Sequence, residues 1–160
     1  MIEFINYGTG KNEKEQALFA SFFVVQNRLQ TSCEKIQTEV SMKQWHLLAM
    51  TSACQKPKTL TNVAKLMGCS RQNVKKLAKS LVKKGFVNLL NGPNNSVIIK
   101  ITEKANDYLK AMQGQQLKVL SHLFSMFSES EIDSFFTMQN KLLDGLEKVE
   151  FFADAFKEQV

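Results

Sequence analysis

Arg71, Gln72 and Asn73 stand in a row directly after Ser70, and Lys75, Lys76 and Lys79 follow closely. A guanidinium can pair bidentately with the O6 and N7 edge of guanine, and a carboxamide with the N6 and N7 edge of adenine. Each such pair is worth about 1–3 kcal/mol of discrimination. Ammonium groups read no sequence; they neutralise phosphate and set register. These residue types therefore point to a polyanion, with base-edge chemistry at the start of the run and phosphate contacts from Lys58, Lys75, Lys76 and Lys79 around it.

The charge distribution agrees. From Lys58 to Lys104 there are ten basic residues and one acid, Glu103, for a net +9, whereas the rest of the chain sums to −3. A basic middle between mildly acidic ends is the electrostatic footprint of a polyanion binder.

Other chemistry finds little footing. There is no Gly-rich phosphate loop, nucleophile elbow or metal motif, and the basic middle lacks paired carboxylates. The sequence therefore predicts no catalytic residues, no cofactor and no metal site. Cys33, Cys54 and Cys69 are an odd number at irregular spacing, which suits a reducing compartment rather than a disulfide framework. Cys33, His46 and His122 are metal-ligand types, but no two form a helical i, i+4 pair. A redox or metal sensor using Cys33 or His46 is one alternative; a protein-interaction module is another, although interface cores are depleted of lysine. No apolar run approaches the roughly 18 residues of a membrane span, and the segment Met1–Gly10 lacks the basic start of a secretory signal. A cytoplasmic chain is expected.

The elements that must position these residues can be read from periodicity. Leu18, Phe22, Val25, Leu29, Cys33 and Ile36 recur at spacings of 3 and 4, predicting a helix over Asn12–Glu39. Ser41 and Gln44 have capping-box spacing for a second helix fading near Cys54, and Gln55–Lys58 reads as a connector because Pro57 disfavours helix before it. A short helix capped by Thr59 or Thr61 ends at Gly68. Ser70 then caps Arg71–Lys84, with Val74, Leu77, Ala78, Leu81 and Val82 on one face. Two helices joined by a tight Gly-containing turn form a helix-turn-helix. Phe86–Leu90 and Val97–Ile101 alternate with period two around a turn-forming Asn91–Ser96, so a hairpin, a wing, follows. Thr102 caps another long helix with a polar weak point at Gln113–Gln116, and Ser128 with Glu131 opens a last one. The expected fold is mostly α with a small β-hairpin wing. It divides into a terminal helix (1–40), a winged helix-turn-helix (41–101) and terminal helices (102–160). The long terminal helices carry apolar stripes too wide for one chain of 160 residues to cover, which predicts intertwining with a second copy in a two-fold dimer.

The run Leu60–Val74, then Leu81–Val87, then Ile101-Thr102-Glu103-Lys104-Ala105 resembles the MarR family of bacterial winged-helix transcriptional regulators. Element order matches from about Asn12 to Phe156. The resemblance implies a homodimer on a palindromic double-stranded DNA operator, with the helix over 70–84 in the major groove and the wing over 86–101 at the minor groove or backbone. It also implies a default repressor, released by a small aromatic effector in a cleft for which Phe22, Trp45, Tyr108 and Met112 are candidates. The family's wing usually carries an Asp-x-Arg pair, but this wing has Asn94-Asn95-Ser96. That leaves two readings of the wing: Asn94 or Asn95, with Ser96 beside them, in the degenerate minor groove, or contact with phosphates alone, through Lys100.

Overall fold

Why each helix starts and stops where it does can be read from a few side chains in the computed structural model, which describes residues 8–157. The first seven residues, with most of the stretch read against a secretory signal, lie outside it. α1 runs Lys11–Glu34 and ends five residues before the expected Glu39. Tertiary structure decides this. Val40 must reach the core, where it is buried, and the Glu34 carboxylate accepts the Met42 N–H at 2.7 Å. The intervening chain turns instead of coiling on.

α2 (Met42–Ala53) begins with the expected capping box. Ser41 Oγ accepts the Gln44 N–H, and Gln44 Oε1 accepts the Ser41 N–H at 3.0 Å. α3 (Leu60–Leu66) takes Thr59, not Thr61, as its cap, through the Asn62 N–H at 3.1 Å. It ends at Gly68, whose φ of +60° is cheap only for glycine, and Cys69 N–H returns to Ala64 O at 3.1 Å. α4 (Arg71–Lys83) is capped by Ser70 and stops at Gly85, φ +76°, with Phe86 N–H on Leu81 O at 2.9 Å.

β1 (Val87–Asn91) and β2 (Val97–Ile101) pair antiparallel, Val87 opposite Ile101 and Asn91 opposite Val97. Phe86 lies just before the ladder, wholly buried, and its carbonyl accepts the Thr102 N–H at 3.1 Å. The segment read as a simple connector does more than connect. Ile99 N–H donates to Lys58 O at 2.8 Å and Thr59 bridges Ile98, so this stretch lies along the free edge of the hairpin. α5 (Glu103–Leu123) is capped by Thr102 and runs unbroken through the polar Gln113–Gln116 stretch; α6 spans Glu129–Lys157. Among the described residues no helix is long and apolar enough to cross a membrane.

The chain falls into two compact units, one up to Gln116 and the other from Leu117. The first has a closed core: Leu47 and Leu48 from α2, Val63 from α3, Val74, Ala78 and Leu81 from α4, and Ile99 from the wing. Phe86 meets Tyr108 edge-to-face at 5.4 Å. Burial of each such side chain contributes roughly 1.5–3 kcal/mol. In the second unit Ser128 and Glu131 close the expected capping box, at 2.8 Å from Ser128 N–H to the carboxylate. Those hydrogen bonds, from the Ser128 backbone first and its hydroxyl second, hold the Glu131 carboxyl below its ordinary value. α6 buries none of its described side chains.

Candidate nucleic-acid interface

α4 separates its two jobs by face. Val74, Ala78 and Leu81 are fully buried, whereas Arg71, Gln72, Asn73, Lys75, Lys76 and Lys79 are all exposed. The same 3.6-residue period that builds the core therefore presents a polar ridge on the other side. Ser70, also exposed, spends its hydroxyl on the Asn73 N–H at 3.2 Å. No acid lies in the first turn, and among the described residues none of the four cations on this ridge forms an ion pair with a carboxylate. Their charge is uncompensated and adds to the positive end of the helix dipole.

Two other lysines of the basic stretch have structural work. Lys84 Nζ donates to Glu39 O at 2.8 Å and to Gln44 Oε1 at 3.0 Å. Lys104 Nζ pairs with the Glu39 carboxylate at 3.1 Å, donates to Lys84 O and lies 4.6 Å above the Phe86 ring. Both brace the end of α4; Glu39 matches the charge of Lys104, whereas Lys84 bonds only neutral oxygens. Sequence reasoning missed the residue at the centre of this brace. Gln44 is buried, and its Nε2 donates to Ser80 Oγ at 2.9 Å, tying α2 to α4. Its capping-box spacing was legible; its second role was not.

The wing tip is a tight structure. Asn94 and Asn95 adopt φ of +53° and +56°, the left-handed region that asparagine tolerates better than most side chains. Gly92 N–H donates to Ser96 O at 2.8 Å, and a Cβ on Gly92 would lie 2.6 Å from Ser96 Oγ and 2.8 Å from Ile98 Cδ1. The tip thus holds both asparagines exposed, with Ser96 half-buried beneath them. Lys100 projects from β2 into solvent, while Lys58 is half-buried with its carbonyl in the edge hydrogen bond.

The four candidate effector residues do not share one cavity. Tyr108 and Met112 line a cleft of about 580 Å³ with Thr38, Glu39 and Lys104, and Tyr108 Oη donates to Gln37 Oε1 at 2.8 Å. Phe22 lies midway along α1, 41% exposed, and Trp45 packs against the core with its indole N–H unpaired. A second cleft, about 660 Å³, lies between α1, α2 and the α3–α4 turn and takes in Met42, His46, Met67, Cys69 and Asn73. Burial pushes the Cys33 thiol up, away from thiolate reactivity, and pulls the His46 imidazole down. Among the described residues no three His, Cys, Asp or Glu side chains cluster as metal ligands.

No family model and no curated protein matches the sequence. Solved structures do match in shape. A MarR/EmrR family transcriptional regulator from Acinetobacter sp. ADP1 superposes with TM-score 0.76 at 16% identity, over 84% of this chain and 97% of that one. Staphylococcus aureus MepR, solved with DNA, gives 0.69 at 19% identity over 78% and 93%. Staphylococcus aureus MarR, in complex with salicylate and kanamycin, gives 0.67 at 18% over 84% and 93%. With six α-helices and one hairpin among the described residues and this agreement over most of its length, the chain has the winged-helix fold of the MarR-family transcriptional regulators.

Proposed function

We propose that this chain is a sequence-specific double-stranded DNA-binding transcriptional regulator. It acts in the cytoplasm as a homodimer and represses until a small aromatic effector releases it. The observation that carries the reading is the exposed, acid-free ridge Arg71–Lys79 on a helix whose other face is locked into the core. Laid in a major groove, the start of α4 offers Arg71 to guanine and Gln72 or Asn73 to adenine, while its N-terminal N–H groups and Lys75, Lys76 and Lys79 meet phosphates. Asn94, Asn95 and Ser96 reach the minor groove, and Lys58 and Lys100 contact the backbone. The fold's S. aureus relatives bound to DNA and to salicylate support both halves of the reading. Nothing in it calls for catalysis.

Dimerisation is argued from what the chain leaves uncovered. Phe19 is 65% exposed and Phe23 55% in α1, and Phe136 is 68% exposed in α6. Contiguous apolar faces of this kind mark association surfaces. A second copy would cover them and space two recognition helices one turn of DNA apart, about 34–36 Å. On this reading the 1–40 and 102–160 segments dimerise, and 41–101 binds DNA. An effector beside Tyr108 and Met112 releases DNA by favouring a different half-site spacing.

Fluorescence anisotropy of a mixed-sequence duplex across a salt series tests the binding. A steep negative log–log slope is expected, and selection from a randomised duplex pool should return palindromes with half-sites about 10 bp apart. Indifference to duplexes in dilute buffer would leave a protein-interaction module in its place.

A further inference from the structure

DNA recognition leaves one group of side chains unused. Met42 and His46 stand one turn apart at the start of α2 and so share a face. Met67 is the C-cap of α3, and Cys69 follows across Gly68, where φ of +60° bends the chain back. All four are half-buried and line the same cleft of about 660 Å³, within the unit up to Gln116. No carboxylate lines it; Lys43 does, as its one formally charged group, together with Asn73 of α4.

We propose that this cleft is a binding site for a soft monovalent cation, Cu(I) or Ag(I), held by Cys69 Sγ, a His46 ring nitrogen and the thioethers of Met42 and Met67. The donor chemistry selects the ion. Thioether sulfur is a poor ligand for hard cations and a good one for Cu(I), and imidazole and thiolate serve the same ion. Mg²⁺ and Ca²⁺ are held chiefly through carboxylates, which the cleft lacks; its side-chain oxygens are the neutral amides of Gln26, Gln30 and Asn73. Binding exchanges one proton for the metal: Cys69 loses its thiol hydrogen to solvent, a sulfur–metal bond forms, and no electron moves. One thiolate and one monovalent cation leave the ligand set neutral, which a half-buried cleft beside Lys43 tolerates better than the net positive charge a divalent ion would leave. Met42 Sδ accepts weakly from Gln37 Nε2 at 3.9 Å, which leaves its second lone pair for the metal. The site stands independently of the DNA-binding reading, and its test contains no DNA.

The test titrates the full chain, reduced and anaerobic, with Cu(I) buffered by bathocuproine disulfonate. In a Cys33→Ser/Cys54→Ser background one equivalent should bind, with a thiolate-to-copper charge-transfer band in the ultraviolet. Adding Cys69→Ser should abolish the band and weaken binding at least about 100-fold, since even loss of an outer-shell partner costs about 10–100-fold. Met42→Leu and Met67→Leu conserve volume and should each weaken binding roughly tenfold; they carry the test if the serine variant fails to fold. Unchanged affinity in both leucine variants would mean that a lone thiol collects the metal, and the proposal falls. Loss of the bound equivalent in the Cys33→Ser/Cys54→Ser background also overturns it, as does Zn(II) binding as tightly as Cu(I).

Discussion

The helix-turn-helix and the terminal helices spend their apolar residues in opposite ways. Most large aliphatic side chains of α2, α3 and α4 go to zero or near-zero exposure: Leu47, Leu48, Val63, Val74 and Leu81 are sealed, Leu66 and Val82 being the exposed exceptions, and Phe86 locks against Tyr108. In α1 and α6 residues of the same types face outward; Phe152 is 68% exposed and Leu143 51%. Since burial is the dominant favourable term in folding, the first region stabilises itself, and the second needs surface supplied from elsewhere. The exposed ridge that begins at Arg71 and Gln72 is therefore mounted on the self-sufficient part, where burial of Val74, Ala78 and Leu81 fixes the helix that carries it.

The most severe way to break this contrast is to charge the outward apolar face. Phe19→Asp with Phe23→Asp is expected to shift the chain from dimer to monomer in sedimentation velocity and to reduce affinity for a two-half-site duplex by orders of magnitude, on the order of the 10³-fold gap between specific and non-specific binding. The helix-turn-helix should remain folded. A variant that stays dimeric would show that the exposed faces are not the interface. Next in size, Phe86→Ala should cost about 3–5 kcal/mol in denaturant unfolding, because its ring is wholly buried. A cost below about 1 kcal/mol would contradict the packing described.

Smaller effects separate roles within α4. Arg71→Ala should lose about 1–3 kcal/mol on the selected sequence and little on scrambled DNA, whereas Lys79→Ala should weaken both alike and lower the salt slope by about 1. Equal losses from the two variants would sink that division. Ser70→Ala should cost about 1 kcal/mol of stability, within the usual range for an N-cap, read from thermal unfolding. The slightest effect belongs to Glu131. Its folded value is depressed, so its contribution is complete above the unfolded value of 4.5 and fades as pH falls through the lower folded value. Glu131→Gln should therefore lower stability slightly at neutral pH, where the carboxylate's contribution is complete, and make no difference below its folded value, flattening that part of the acid dependence of the melting curve.

Some of this was open to reading from residues alone, because the signals were local. Ser41, Ser70 and Ser128 cap the helices their spacing announced, and Gly68 and Gly85 stop two of them with positive φ. The helix period placed Val74, Ala78 and Leu81 inward and Arg71, Lys75 and Lys79 outward, although Leu77, read on the same apolar face, is half-buried and Val82 is exposed; period two marked the wing to within a residue. Each of these depends on contacts within a few positions of the chain.

What escaped depends on partners distant in sequence. α1 stops at Glu34 because Val40 has a core to enter. Lys58 and Thr59 join the edge of a hairpin forty residues further on. Lys84 and Lys104 are tied to the end of α4 because Glu39 and Gln44 lie within reach. Tyr108 and Met112 line one cleft while Met42, His46, Met67 and Cys69 line another, a sorting that no spacing rule predicts. Periodicity and capping are properties of a segment and can be read one segment at a time. Which side chains end up within reach of one another is decided only when the segments pack.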